Sequence, residues 1–255
     1  MGIYDLYGKQ VLNQNVDYTK LPYVVVKRHS YKQFSEVLGI DITDEEACDL
    51  CNRYLIRDRR NLFVYEHVLN ELSHAFSVLK TSPCESFVHL YRTLEFMSYS
   101  FPLIYASKSK KYLGSYNSLK EFFKGGDGMG ELKFLGYFLD TLFTEEPTTY
   151  DFEYEVLFES ISVDSLREDF KKAIKQDFFV FEGNTLTVKF RNIKDIFVEV
   201  RNKYFHMLLG QGTNNFLDMN YDKTELFKAL NPVFINWISC IFVKIVQHGL
   251  SLYDE

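Results

Sequence analysis

The sequence predicts a mainly α-helical protein, and three observations support that prediction. Apolar residues recur at intervals of three and four along residues 61–79, 86–101 and 192–210, the spacing that places them on one face of a helix. Residue types that begin or end helices flank these stretches. Hydrophobic residues make up 46% of the 255-residue chain and aromatic residues 17%, which is enough to fill a core and argues against a disordered chain. We therefore expect a bundle of helices.

Residues 1–57 are expected to form an N-terminal extension of that bundle. Thr43 and Glu46 make a capping box, in which each side chain satisfies a backbone N–H group near the other, so a helix is expected to begin there. Cys48 and Cys51 lie on this helix as an isolated CxxC pair. Because a structural zinc site needs four ligands and no second pair follows at ligand spacing, we expect no metal there.

Residues 58–255 are expected to form one helical domain with an insertion at about 107–162. In the helix predicted over residues 61–79, the helical spacing places Leu69 among the core residues and Glu71 on the opposite, polar face. The helix predicted over residues 86–101 supplies a second apolar face, so the two helices are expected to pack together.

The chain after the insertion predicts a helix, a β-hairpin and three further helices. The hairpin consists of two runs of β-branched and aromatic residues, joined by a turn at residues 182–185. Asn231 is expected to cap the last helix and Pro232 to begin it, because these residue types are favoured at those two positions. The expected ranges are 165–176 for the first helix, 178–181 and 186–190 for the hairpin strands, and 192–210, 224–230 and 232–249 for the last three helices.

The helix predicted from Asn192 to Gly210 carries a group of polar residues in its middle. Asn192 is expected to cap its start, and Asp195 lies in the first turn, where a carboxylate interacts favourably with free N–H groups. Gly210 is expected to end the helix, because glycine adopts the left-handed conformation that often follows one. The polar residues in the middle are Arg201, Asn202 and His206.

Three faces can be distinguished on this helix when each residue advances by about 100°. One apolar face is expected to pack on the core and consists of Ile196, Phe197, Val200, Tyr204, Met207 and Leu208. Asn202 and His206 lie one turn apart on the far side, where a histidine with a packing role would not sit. A second apolar strip consists of Val198, Phe205 and Leu209. We therefore expect the helix to contact its own bundle on one side and a second protomer on the other.

The order Arg201-Asn202-x3-His206 resembles the R-x4-6-H signature of the HEPN superfamily, whose active members are metal-independent endoribonucleases. The resemblance covers this motif and the helix-rich layout of about the last two thirds of the chain. It implies a HEPN-like bundle that acts as an endoribonuclease toxin in antiphage defence or growth arrest, with an antitoxin or regulatory protein as partner. It also implies a homodimer that brings two motifs to one cleft, here through Val198, Phe205 and Leu209.

Cleavage of RNA without a metal uses the ribose 2′-hydroxyl as the nucleophile, and it needs a base, an acid and cationic groups at the phosphate. His206 is the expected general acid and base, because an imidazole exchanges protons near neutral pH. Arg201 is expected to bind the phosphate, because a guanidinium stays charged and can hold two oxygens at once. Asn202 is expected to orient His206 or to donate to a phosphate oxygen. We expect neither a cofactor nor a metal.

Two further groups of residues are candidates for the site. Arg60, Asn61 and His67 form a second match to the signature, but the later match is preferred because the motif of this family lies late in the bundle and is followed by one more helix. Arg92 and Glu95 share one flank of the helix over residues 86–101 with Tyr99. They are expected either to form a surface ion pair or to support the catalytic pair from an adjacent helix.

The overall charge limits how this protein can contact RNA. A net charge of −6 and a pI of about 5.6 exclude a global basic field, so any RNA contact must come from a local patch. Four cysteines, no signal-peptide pattern at Met1 and an apolar run over residues 233–246 that polar residues interrupt lead us to expect a cytoplasmic protein with no membrane contact. Two other function classes stay open, namely a non-catalytic helical interaction module and a nucleotide-binding HEPN regulator.

Overall fold

The computed structural model describes residues 2–4, 10–13, 58–108, 112–124, 130–143, 150–159, 163–173, 176–205 and 223–251. This part of the chain is mainly helical, which confirms the predicted class. Its helices are α1 (Leu62–Val78), α2 (Pro83–Ser107), α3 (Tyr112–Phe122), α4 (Glu131–Phe143), α5 (Val163–Ala173), α6 (Ile193–Phe205) and α7 (Lys223–Ser251). None of these helices is both long enough and apolar enough to cross a membrane. The predicted helix that begins near Thr43, with Cys48 and Cys51, lies outside the described residues.

Five short strands form two antiparallel sheets in the described residues. Strands β1 (Gly2–Tyr4) and β2 (Gln10–Asn13) pair within the N-terminal extension. Strands β3 (Glu153–Leu157), β4 (Phe179–Glu182) and β5 (Thr185–Lys189) form a second sheet in the order β3-β5-β4. The predicted hairpin is therefore present as β4 and β5. Its turn contains Gly183 at φ 56°, a conformation that glycine adopts without strain.

Helix α2 is the centre of the bundle, because it packs against α1, α7, α4 and α3. Many of its large apolar residues are buried, and small polar residues occupy other buried positions. The hydroxyl groups of Thr93 and Ser100 each donate to the carbonyl oxygen four residues earlier, so these polar groups are satisfied inside the bundle. Small side chains with satisfied hydroxyl groups let neighbouring helices approach α2 on several sides.

An aromatic cluster joins α6 to α2 and α7. The rings of Phe197 and Phe234 stack with their centroids 4.0 Å apart, and Phe87 approaches the Phe197 ring edge-on at 5.1 Å. All three side chains are buried. Burying a phenylalanine side chain stabilises a fold by roughly 1.5–3 kcal/mol, so this cluster holds α6 firmly against the bundle.

Helix α1 confirms the predicted helix over residues 61–79 but differs from it on two faces. Leu69, expected in the core, is half exposed at 50%. Glu71, expected on the polar face, is buried against α2, where His89 and Arg92 contact its carboxylate. Helical spacing predicts which face of a helix is apolar. It does not predict the burial of a charged residue such as Glu71, because that depends on a partner from another helix.

The end of the chain differs from the prediction, because α7 is a single helix of 29 residues. Asn231, the expected cap, is fully buried inside this helix, and its Nδ2 donates to the carbonyl oxygen of Pro83 at 2.8 Å. Pro232 follows within the helix, although proline removes a backbone donor there. The apolar residues before and after it pack on α2 along one continuous face, and that burial outweighs the local preference for a break.

The segment predicted as an insertion contributes to the main core. It forms α3, α4 and β3, and α3 and α4 both pack on α2. Phe122, Phe134 and Phe138 make edge-to-face contacts within the buried core. Strand β3 pairs along its whole length with β5, which precedes the motif helix. The sequence analysis did not predict this third strand, although its residues alternate between exposed and more buried positions. Two of its five residues, Glu153 and Glu155, are of a type that is depleted in strands.

A buried ion pair links the start of the described domain to the end of α2. Lys108 Nζ lies 2.7 Å from Asp58 Oδ2, and both side chains are over 90% buried. Asp58 also accepts hydrogen bonds from the Tyr65 hydroxyl and from Asn61 Nδ2. Removing one member of such a pair leaves a buried charge without its main counterion.

We expect Lys108→Met to lower the free energy of unfolding by about 3 kcal/mol, because Asp58 then stays buried with hydrogen bonds but no counterion. The matched control is Lys171→Met, since Lys171 pairs with Glu168 at 3.2 Å on the surface. That change should cost less than about 0.5 kcal/mol. Urea denaturation of the full chain measures both values. Equal values for the two variants would contradict the role given to Asp58 and Lys108.

His248 connects the end of α7 to α2 and predicts a pH dependence of stability. Its ring stacks on Tyr105 at 3.9 Å. Burial lowers the pKa of His248 from 6.5 to about 4, and the nearby charges of Lys108 and Lys244 act in the same direction. Below pH 6.5 the imidazole is therefore protonated in the unfolded chain, whereas in the folded chain it stays neutral down to about pH 4. The free energy of unfolding consequently falls as the pH is lowered from 6.5 to 4.

We expect the free energy of unfolding to carry a His248 component of at most about 1.4 kcal/mol per pH unit between those two values. His248→Phe keeps a ring against Tyr105 and removes the titrating group. Its stability should therefore fall less steeply than that of the wild type as the pH is lowered from 7 to 5. Denaturation curves at several pH values measure the two slopes, and parallel slopes would contradict the burial of a neutral imidazole.

Candidate functional site

The motif helix α6 is positioned by the 3-10 turn Phe190–Asn192, which follows β5 directly. Asn192, predicted as the helix cap, instead donates from Nδ2 to the carbonyl oxygen of Phe178 at 3.2 Å. This correction arises because the turn already begins the helix at Phe190, which frees the asparagine side chain to tie α6 to the sheet. The predicted core face is confirmed for its described side chains, since Ile196, Phe197 and Val200 are buried.

Arg201 is held between α6 and α2. Its guanidinium lies over the ring of Tyr91, 4.8 Å from the centroid, in a cation–π contact. Its Nη2 lies 3.7 Å from Glu95 Oε1, and its Nη1 donates to Asn202 Oδ1 at 3.2 Å. The side chain keeps 25% of its surface exposed. Three contacts therefore fix the guanidinium, and part of it remains exposed. Such a group can bind an anion with little further loss of side-chain conformational entropy.

Tyr91 and Glu95 form the base of this arrangement on one face of α2. Burial raises the pKa of Tyr91, and the Glu95 carboxylate raises it further by accepting a hydrogen bond from the hydroxyl, while the Arg201 charge opposes the shift. Tyr91 is therefore a neutral phenol that donates to Glu95. Glu95 thus touches both Tyr91 and Arg201, whereas Arg92, the other predicted supporting residue, points away toward α1.

A second polar group lies between α1 and α2. Arg92 Nη2 lies 2.9 Å from Glu71 Oε1, and His89 Nδ1 lies 2.8 Å from Glu71 Oε2. The ring of His74 stacks on that of His89 with the centroids 5.3 Å apart. Among the described residues, no group of three or more histidine, cysteine or acidic side chains has the arrangement of a metal site. These contacts hold Arg92 on the outer surface of α2.

His206 lies outside the described residues, as does Leu209, and the side chain of Phe205 is likewise not described. The structure therefore brings Arg201 and Asn202 together, while the position of the histidine stays a prediction. Val198, from the predicted dimer strip, is half buried on α6.

The alternative motif has different surroundings. Arg60 is exposed on a 3-10 turn that precedes α1, and Asn61 donates to Asp58 at 2.7 Å. The ring of His67 packs against Phe96 with the centroids 4.1 Å apart. Asn61 thus takes part in the buried Asp58 network, and His67 belongs to an aromatic group on the α1–α2 surface.

A cavity of about 240 Å³ lies at the start of α6, and no sequence pattern predicted it. Arg191, Lys194, Asp140 and Asp195 line it, so its charged side chains balance one another. The buried indole N–H of Trp237, which also lines the cavity, has no acceptor among the described residues. Gly136 leaves room for the Lys194 side chain, because a Cβ there would lie 3.0 Å from Lys194 Nζ.

Comparison with known proteins found no family model, no curated relative and no solved structure that matches this chain. The candidate site therefore depends on the contacts of Arg201, Asn202, Tyr91 and Glu95 and on the motif to which the first two belong.

Proposed function

We propose that this chain is a metal-independent endoribonuclease with a HEPN-like helical bundle, acting as a toxin in antiphage defence or growth arrest. Arg201 binds the scissile phosphate, His206 transfers protons, and Asn202 orients the histidine or donates to the phosphate. The observation that supports the proposal most directly is the guanidinium of Arg201, which is fixed by Tyr91 and Glu95 yet open on one side.

The contact between Arg201 and Glu95 is weak enough for an incoming anion to replace it. At 3.7 Å, with half of the Glu95 side chain exposed, the pair is weak, because water screens exposed charges strongly. A phosphate can therefore take the place of the carboxylate at small cost. Meanwhile the cation–π contact with Tyr91 keeps the guanidinium in position. Such positioning before the substrate arrives is what makes electrostatic catalysis effective.

A single helix aims Arg201 and His206 poorly at one atom, because five residues along a helix correspond to about 140° of rotation. Two copies of the chain related by a twofold axis would supply both groups to one cleft, as the family resemblance implies. The half-buried Val198 lies on the face proposed for that contact, together with Phe205 and Leu209. An isologous contact of this kind is the commonest form of homodimer.

We expect Arg201→Ala to lower the rate of RNA cleavage by about 10²–10³-fold, the cost of removing a donor from a developing oxyanion. Arg201→Lys keeps the charge but loses the planar two-point contact and the stacking on Tyr91, so its rate should fall by at least about tenfold. Gel analysis of a labelled RNA in the presence of EDTA measures the rates.

The matched control is Arg167→Ala on α5. Arg167 has a similar exposed fraction of 29%, lies over the ring of Phe181 and pairs with Asp164. The cleavage rate of this variant should equal that of the wild type. Retained cleavage in Arg201→Ala would refute the assignment of this site. Absence of cleavage by the wild type, together with a nucleotide-dependent rise in its melting temperature, would favour the nucleotide-binding regulator instead.

We expect Val198→Glu to convert a dimer to a monomer and to abolish cleavage, because a carboxylate would be buried at the contact. Val180→Glu is the control, since it places the same charge at a valine that is 55% exposed on the edge strand β4. Light scattering gives the mass, and circular dichroism checks that both variants fold. A wild type that is monomeric and cleaves RNA would refute the dimer.

A further inference from the structure

The surface beside the candidate site carries aromatic side chains that are not needed for the core. Phe63 on α1 is 70% exposed and Tyr99 on α2 is 43% exposed. Both approach Phe96 edge-on, with centroid distances of 6.4 Å and 5.5 Å. The ring of His67 completes the group by packing on Phe96 at 4.1 Å. We call these four residues the aromatic strip.

The aromatic strip is continuous with the residues around Arg201. On α2, Arg92 lies one turn before Phe96, and Glu95 lies one turn before Tyr99, so these pairs are neighbours on the helix surface. Glu95 in turn contacts Arg201 at 3.7 Å. One exposed face of α2 therefore runs from the candidate phosphate-binding arginine to a set of exposed rings.

Cations flank the strip and favour a polyanion over an apolar partner. Arg92 is half exposed and is held at the surface by Glu71 on the α1 side. Arg59 and Arg60 are exposed on the turn that precedes Phe63 by one helical turn. An aromatic platform bordered by arginines is the arrangement that single-stranded nucleic acids use, since bases stack on the rings while the cations contact phosphates.

We propose that the aromatic strip binds unpaired bases of single-stranded RNA next to the phosphate held by Arg201. Phe63 and Tyr99 stack on bases, and Arg92 contacts a phosphate between them and the scissile bond. This proposal rests on the proposed ribonuclease function for its substrate, and it limits that substrate to unpaired RNA. Bases inside a duplex are already stacked on each other and cannot reach the rings.

The test measures binding without cleavage, so that the two proposals can fail separately. The probe is a fluorescein-labelled decamer of 2′-O-methyl uridine, which lacks the free 2′-hydroxyl needed for cleavage, and fluorescence anisotropy reports its affinity. We expect Phe63→Ala and Tyr99→Ala each to weaken binding by about 5- to 100-fold, the effect of losing one base stack. Arg92→Ala should lower the slope of log affinity against log salt concentration by about 0.7.

Four controls separate stacking from other causes. Phe123→Ala makes an identical change at a phenylalanine that is 56% exposed after α3, and it should bind as the wild type does. Phe63→Leu keeps an apolar side chain without a π face, so it should bind as weakly as Phe63→Ala, whereas Phe63→Tyr should restore binding. The same decamer annealed to its complement should bind weakly to every variant.

The outcomes are distinguishable. Wild-type affinity in Phe63→Ala and Tyr99→Ala would overturn the aromatic strip as an RNA site, even if Arg201→Ala abolishes cleavage. A loss of binding in these variants together with a wild type that does not cut RNA would keep the strip and reject the nuclease. Full binding in Phe63→Leu, or a change from dimer to monomer in Phe63→Ala, would overturn the proposal and assign the strip to a protein contact.

Discussion

The burial of α2 on several sides determines where the polar residues of this protein can lie. Helices α1, α3, α4 and α7 all pack against it, so only a narrow face of α2 reaches the surface. That face carries Arg92, Glu95 and Tyr99, with Tyr91 at its border under Arg201. Because α2 is fixed by the core, these side chains have a rigid support. A site built on helices in this way is held more precisely than one built on loops.

Helical spacing in the sequence predicted much of the fold. The predictions that were wrong concern residues whose contact with a distant element outweighs their local conformational preference. The helix α1, the hairpin of β4 and β5 and the buried face of α6 were predicted within a few residues. Asn192 and Asn231 were both expected to cap helices, but each donates to a backbone carbonyl of another element, Phe178 and Pro83. A capping residue stabilises a fold by about 1 kcal/mol, so a buried hydrogen bond combined with continuous packing can replace it.

The sequence predicted Arg201, Asn202 and Glu95 as candidate site residues, but it predicted neither the part played by Tyr91 nor the contacts among them. The motif identified Arg201 and Asn202, and shared helical flank identified Arg92 and Glu95. Which of the latter two reaches Arg201 depends on the rotation of α2 against α6, and the edge-on contact of Phe87 with Phe197 helps to set that rotation. Tyr99 was predicted to share the flank of Arg92 and Glu95, but not to be an exposed ring beside other rings. Phe63 was not singled out, because an aromatic residue in an apolar helix normally belongs to the core. Which rings are exposed depends on how the helices pack together, and helical spacing does not specify that packing.

An acidic protein needs a way to hold RNA that does not depend on its overall field. With a net charge of −6, long-range repulsion works against RNA binding. Arg92 on α2 and Arg201 on α6 each have a carboxylate nearby. Base stacking does not depend on net charge, because every base presents an aromatic face whatever the charge of the protein. The strip can therefore supply affinity while Arg201 exchanges the carboxylate of Glu95 for a phosphate. The carboxylate of Glu95 stays on α2 after this exchange, so phosphate binding adds negative charge beside it. A strand without stackable bases therefore gains little from the arginine alone. On this reasoning the rings provide most of the affinity, and the guanidinium selects which phosphate lies at the site.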